Sequence, residues 1–379
     1  MKLMRANVAF ACVTLVLIVA AVSVPVLAGL RGAPQSGSAP GPGRVPRTQQ
    51  PETDLERDKP VGVGWVRAGL NTDRSIWGVR GGLLWGLPPR TGPSDGPRGL
   101  IRLRYPVLPN GNVDLINFIA IEPIVSGHRG FSELEWSRLD NVRGKRLWAQ
   151  DPGAPIGPTT TLPAGCLTRL DAGAECLTVH VAVEPFENGA HVRLTLSQRS
   201  DAPDELELTV HQEPDSAPIE YCILTATMGN KARTRQLWLR NEVADSLDLW
   251  PDYKEAGFTP HRLFPLDQLH RAAAGDILAA ITTNEADPAA VDPFPAAPHW
   301  RYGGFPVTQY WKKPQGTWRE DLHVAGNGRY TYWLSRQPIP GGIAFENFEM
   351  RERFYEGQRF IFGITRKTPK ELGFATPSQ

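Results

Sequence analysis

The residues best placed to do chemistry stand between Gly130 and Ala149, GFSELEWSRLDNVRGKRLWA. Read as an extended segment, Phe131, Glu133 and Glu135 point to one side and Ser132, Leu134 and Trp136 to the other. Two carboxylates then share a face about 7 Å apart at their roots. Glycoside hydrolysis needs an acid and a base or nucleophile flanking one bond, roughly 5–9 Å apart, so Glu133 and Glu135 form the candidate catalytic pair. The bland alternative is a solvated strand face neutralised by Arg138, Arg143 and Lys145. A second acidic-aromatic run, AFENFEMRERF from Ala344 to Phe354, either supplies a partner carboxylate or is an amphipathic strand with a salt-linked polar face.

Arg233 and Arg235 alternate in a basic strand, and arginine recognises carboxylate or sulfate through a two-pronged fork. They are candidates for holding an acidic sugar. Alternatively they pair with Glu133, Glu135 or Glu220 in a structural ion network. Aromatic residues are dense late in the chain: Trp300, Tyr302, Tyr310, Trp311, Trp318, Tyr330, Tyr332 and Trp333. Rings with a polar tip suit sites that are apolar on one side and wet on the other. Trp300, Tyr302, Trp311 and Tyr332 are therefore candidate sugar platforms, against the alternative that about half of these rings fill the core. His323 lies among them and is a candidate general acid or base, or a plain loop histidine.

Several chemistries lack their usual carriers. The chain has no phosphate-binding Gly-x-x-x-x-Gly-Lys loop, no Gly-x-Gly-x-x-Gly, no Gly-x-Ser-x-Gly and no His-Glu-x-x-His. No Cys/His pair has zinc spacing, and Asn110, Asn112 and Asp114 read as a turn rather than a calcium loop. No metal and no cofactor is expected. Lys and Arg total 41 against 40 for Asp and Glu. This balance lacks the basic surface of nucleic-acid binders, and no nucleic-acid partner is expected.

These residues must be positioned by strands. Short apolar runs recur between turn signals from Val61 onward, and several alternate, as in ELELTVH, where Leu206, Leu208 and Val210 share a face. Asn-Gly at Asn188-Gly189 reads as a hairpin turn, and Pro109–Asn112 as another turn. The opening segment reads as a hairpin turning at Asp140–Gly144. Only Asp267 to Ala274 looks helical. With Gly 37 and Pro 35 as punctuation, the expected fold is all-β: a large antiparallel β-sandwich, supersandwich or jelly-roll-like, with little helix. It is expected to be a single domain over residues 61–379.

Residues 1–30 read as a targeting segment. Lys2 and Arg5 precede an uncharged apolar run from Val8 to Leu30, which is either a cleaved secretory signal or an uncleaved anchor long enough to span a bilayer. Membrane contact is expected only through this segment. Residues 31–60 are rich in Gly, Pro, Ser and Gln and read as a disordered linker. The expected location is extracytoplasmic, secreted or anchored by residues 8–30. Export makes a Cys166–Cys176 disulfide plausible; closing about ten residues, it would stabilise by roughly 2–3 kcal/mol. Free buried thiols are the alternative, and Cys222 reads as an inert core thiol.

In architecture, export and aromatic usage the chain resembles the large antiparallel sandwiches of secreted bacterial carbohydrate-active proteins, including the mutarotase-like and lyase-associated kinds. No motif of a named family stands in it residue for residue, and no site is carried over. Three functions compete. One is an extracytoplasmic enzyme on carbohydrate, possible acidic polysaccharide included: a hydrolase through Glu133 and Glu135, or a lyase in which Arg233 and Arg235 neutralise a uronate. The second is a non-catalytic sugar-binding or envelope protein. The third is a structural or partner-binding surface protein. The enzyme reading expects the Glu133/Glu135 face, the two arginines and the late aromatics to converge on one groove.

Overall fold

A computed structural model of the chain describes residues 64–88, 97–151, 162–227, 233–285, 291–293, 301–304, 306–332 and 335–375; the side chains of 109, 172, 291–293 and 301–303 are excepted. Two large antiparallel sheets pack face to face. The first runs Trp65–Arg67, Ile76–Val79, Leu84–Gly86, Leu100–Tyr105, Asp114–Val125, Tyr221–Thr227, Ala344–Arg351, His323–Arg329 and Arg262–Pro265, with the short strand His128–Arg129 returning beside Asp114–Val125. The second runs Val243–Asp245, Thr234–Trp238, Ile277–Thr283, Thr308–Lys313, Gln358–Thr365, Glu205–Gln212, Val192–Arg199, Glu175–Val183 and Leu147–Gln150. The antiparallel sandwich expected from the sequence is the fold observed.

Strand alternation builds the core. Leu206, Leu208 and Val210 are fully buried on one face, while Glu205, Thr209 and His211 stay partly exposed. Ile119, Ile121, Leu224, Met350 and Val324 from the first sheet join Leu194, Phe360, Phe362, Trp311 and Ile281 from the second in one apolar cluster. Each fully buried side chain of this kind contributes roughly 1.5–3 kcal/mol of transfer free energy. Polar links cross this interior: Asn117 Nδ2 donates to Gln309 Oε1 at 2.6 Å, and Trp311 Nε1 to Phe348 O at 2.8 Å.

The turn chemistry behaves as read at Asn188-Gly189. Phe186 N donates to Ala190 O at 2.8 Å, and Gly189 sits at φ 88°, where a side chain would be strained. The helix expected over Asp267–Ala274 does not form. Leu266–Gln268 is a single 3₁₀ turn, and His270–Arg271 is a strand paired with Ile277 and Leu278. Ala272 N to Asp276 O at 2.9 Å, with Gly275 at φ 88°, closes a hairpin there instead. Among the described residues the only α-helix is the single turn Ser246–Leu249, and no helix is long and apolar enough to cross a membrane.

The opening segment is also not the expected hairpin strand. Leu134 N and Glu135 N both donate to Phe131 O, at 3.2 and 3.0 Å, so residues 132–134 are a turn and the alternation of Glu133 with Glu135 is lost. The strand Asp114–Val125 holds the segment as far as Ser132, whose N donates to Ile121 O at 3.1 Å, and beyond it the local turn satisfies the amides of Leu134 and Glu135.

A charged recess as candidate functional site

The site lies on the outer face of the first sheet. In the strand Asp114–Val125, Ile119 and Ile121 point into the core, so Phe118, Ala120 and Glu122 point outward. The register aligns Glu122 with Ile223, and Thr225 with Glu349. It further aligns Glu349 with Ala325, and Arg351 with His323. An outward sheet face is commonly wet, yet Ala120, Glu122, Ile223, Thr225, Ala325 and Glu349 are all buried. Leu100, Phe118 and Ala120 form an apolar patch at one end of this face. The charged groups gather beside it.

Arg129 organises them. Its register opposite Ile124 puts it on the same face. Its Nε donates to Glu122 Oε2 at 2.6 Å. Its Nη2 donates to Glu122 Oε2, to Thr225 Oγ1 at 3.3 Å and to Glu349 Oε1 at 2.8 Å. Its guanidinium also lies over the Phe131 ring, 5.5 Å from the centroid. His261 Nε2 meets Glu349 Oε1 at 3.3 Å, and Arg351 Nε stands 3.8 Å from Glu349 Oε2. Arg129, Arg351 and His261 form the more open edge, with side-chain exposures of 20%, 19% and 34%, against 4% and 1% for Glu122 and Glu349.

The two carboxylates titrate in opposite senses. Burial pushes Glu122 up, and the charges of Glu133 and Glu349 add to this against the pull of Arg129. Burial alone would raise Glu349 too, but the His261 hydrogen bond and the Arg129 charge hold it well below the ordinary range. Burial also raises Glu133 toward neutrality, opposed by a hydrogen bond from its own backbone amide and by the charges of Arg129 and Arg143. Three buried atoms of this cluster, Glu133 Oε2, Glu349 Oε2 and Arg351 Nε, have no hydrogen-bond partner among the described residues.

Of the residues singled out from sequence, Glu133 belongs to this recess. His323 flanks it through its register with Arg351, its Nδ1 lying 2.9 Å from Asp321 O. Glu135 does not belong. Its Oε1 accepts from Phe131 N at 3.1 Å, its Oε2 accepts from Glu187 N at 2.8 Å, and Lys145 Nζ pairs with it at 3.2 Å. That is a brace for the turn. Arg233 and Arg235 lie at and within the strand Thr234–Trp238 of the other sheet and share Glu285 as counter-ion. Arg235 also donates to the carbonyls of Pro340, Gly342 and Ile343. Their ion partner is thus neither Glu133 nor Glu135, and the expected convergence on Glu133 and Glu135 is not what the contacts give.

The aromatic expectation fails for Trp311 and Tyr332, both fully buried. Trp311 stands edge-on to Phe360 and Phe362 and donates from Nε1 to Phe348 O at 2.8 Å. Trp300 and the Tyr302 side chain lie outside the described residues. Cys166 and Cys176 are free thiols. Register explains why: Cys166 opposes Thr178 and Cys176 opposes Thr168, so the pair is diagonal. Diagonal neighbours stand roughly 7–8 Å apart, beyond ordinary disulfide reach. Cys222 is buried, and burial pushes its thiol up to about 12.

Glu122, Arg129 and His261 went unnoticed in the sequence, while Arg351 lies in the run from Ala344 to Phe354 whose polar face was read as salt-linked. Glu349 lies in the acidic-aromatic run named as a source of a partner carboxylate. Glu122 had a signal: it is the one glutamate inside the apolar run from Val113 to Ile124. Among the described residues no group of His, Cys, Asp and Glu has the makings of a metal site. No protein-family model matches the chain, and no curated protein matches it in sequence.

Proposed function

We propose that this chain is an exported β-sandwich protein that binds carbohydrate at the recess around Arg129. One observation carries the reading: Glu133 Oε2 is buried without a hydrogen-bond partner among the described residues, and Glu349 Oε2 and Arg351 Nε, ion-paired at 3.8 Å, are too far apart to hydrogen-bond each other and have no other hydrogen-bond partner there. An orphaned buried polar group costs about 1–3 kcal/mol. Two acceptors and one donor call for groups that both donate and accept, which is the chemistry of hydroxyls. A neutral sugar suits the recess better than a uronate, whose carboxylate would face Glu349 and Glu133.

A second reading, hydrolysis, is favoured by the opposite titration of Glu122 and Glu349. Both accept from one arginine nitrogen, so their bonded oxygens are separated by at most two hydrogen bonds, roughly 6 Å. Retaining glycosidases hold their carboxyl groups at about 5–5.5 Å. In this division Glu122 gives its proton to the leaving oxygen, and ionised Glu349 faces the anomeric carbon.

The test is titration of the full-length protein with neutral and uronate-bearing polysaccharides by calorimetry, with product analysis by chromatography. Neutral glycans are expected to bind, and Glu349→Gln and Arg351→Leu to weaken binding about tenfold or more with circular dichroism unchanged. That loss corresponds to about 1.4 kcal/mol. Binding to none of the glycans overturns the reading. Binding without new reducing ends removes hydrolysis and leaves recognition.

A further inference from the structure

Three of the large apolar side chains that stand exposed among the described residues fall within one loop tip: Trp136 at 55%, Leu139 at 57% and Val142 at 46%. The tip is braced. Ser137 N donates to Val142 O at 2.9 Å, Asn141 N to Ser137 O at 3.0 Å, and Trp136 bridges Arg143. From below, buried Lys145 donates from Nζ to Trp136 O at 3.0 Å. Asp140, the acidic residue of the tip, is engaged by Arg98 and Arg146 at 3.0 and 3.2 Å. Arg138 and Arg143 are exposed beside the apolar residues. The tip is therefore a fixed apolar knob with a cationic collar.

We propose that this tip docks on the surface of an anionic bilayer. Trp136, Leu139 and Val142 enter the headgroup region, and Arg138 and Arg143 meet lipid phosphates. Tryptophan favours that interface, and arginine is drawn to anionic headgroups. Aliphatic Leu139 and Val142 have no role against sugar hydroxyls, so a glycan is the poorer occupant. The sequence supplies the nearby bilayer. Val8 to Leu30 is an uncharged apolar run of spanning length. Residues 31–63 lie between that run and the first described residue. The inference is independent of the carbohydrate reading.

The experiment is hydrogen exchange on the full-length protein in nanodiscs of phosphatidylcholine alone and of phosphatidylcholine with phosphatidylglycerol. Exchange over residues 136–143 is expected to slow several-fold on the anionic discs only. The double variant Arg138→Glu/Arg143→Glu, and separately Leu139→Ser, should lose that slowing. Unchanged exchange over Asp114–Val125 and Tyr221–Thr227 would show the variants folded. Equal exchange on both discs overturns the proposal. So does protection that rises with protein concentration in either disc, which would mark the tip as a contact between copies of the chain.

Discussion

Arg129 Nη2 donates to Glu349 Oε1 at 2.8 Å across 220 residues of sequence, and through that one nitrogen Glu349 is tied to Glu122. Removing the arginine leaves two buried carboxylates facing each other with only His261 and Arg351 in attendance. Arg129→Ala is expected to lower stability by about 3–5 kcal/mol, the range for breaking a buried pair, as read from guanidinium unfolding. Glu122→Gln in the same chain should recover part of that loss, since a neutral amide has no charged form to face Glu349. A loss below about 1 kcal/mol would show that Arg129 is an ordinary surface cation.

The same cluster sets a pH dependence. Glu122 and Glu133 have folded values raised above the ordinary carboxylate range, so their favourable contribution is complete below that range and lost as pH rises through the raised values. Glu349 is lowered, so its contribution is present above the ordinary range and lost as pH falls toward the lowered value. Glu346, raised to about 7 chiefly by burial, acts in the same sense as Glu122. The melting temperature is expected to be higher near pH 5 than near pH 8. Glu122→Gln should flatten the fall over that interval. A melting temperature that rises steadily from pH 5 to pH 8 would contradict the assignment.

Strand periodicity was legible because it is local. The face shared by Leu206, Leu208 and Val210 needs only a window of five residues, and the hairpin at Asn188-Gly189 only a dipeptide with positive φ. The recess was not legible, because it needs Glu122, Arg129 and Glu349 brought together by strand order. The strand Tyr221–Thr227 lies between Asp114–Val125 and Ala344–Arg351. The misreading of Glu135 has a different cause. Alternation suggested a strand, but Phe131 O captures the amides of Leu134 and Glu135 and curls the segment first.

The cysteines give a third test. With Cys166 and Cys176 two positions out of register, a reductant should leave the melting temperature unchanged. Labelling with a maleimide and mapping by mass spectrometry should modify exposed Cys166 fastest. Cys222, buried and with its thiol pushed up to about 12, should react only after unfolding. A Cys166–Cys176 bridged peptide in the native digest would restore the disulfide expected from spacing.

Glu133 and Glu135 stand two residues apart and should separate cleanly by experiment. Glu135 braces the turn through two backbone amides and the fully buried Lys145 ammonium. Glu135→Ala leaves that ammonium without its carboxylate partner, with Trp136 O as its remaining hydrogen-bond acceptor. The expected cost is about 3 kcal/mol in unfolding measurements, with glycan affinity of the folded fraction unchanged. Glu133 behaves in the opposite way. Its Oε2 is unpartnered and its raised value reflects burial, so Glu133→Gln removes a charge costly to bury and breaks no hydrogen bond at that atom. Stability at pH 8 should hold or rise slightly, while glycan affinity falls. Equal losses of stability from both substitutions would mean that both carboxylates serve only to hold the turn, and Glu133 would then have no place in the recess.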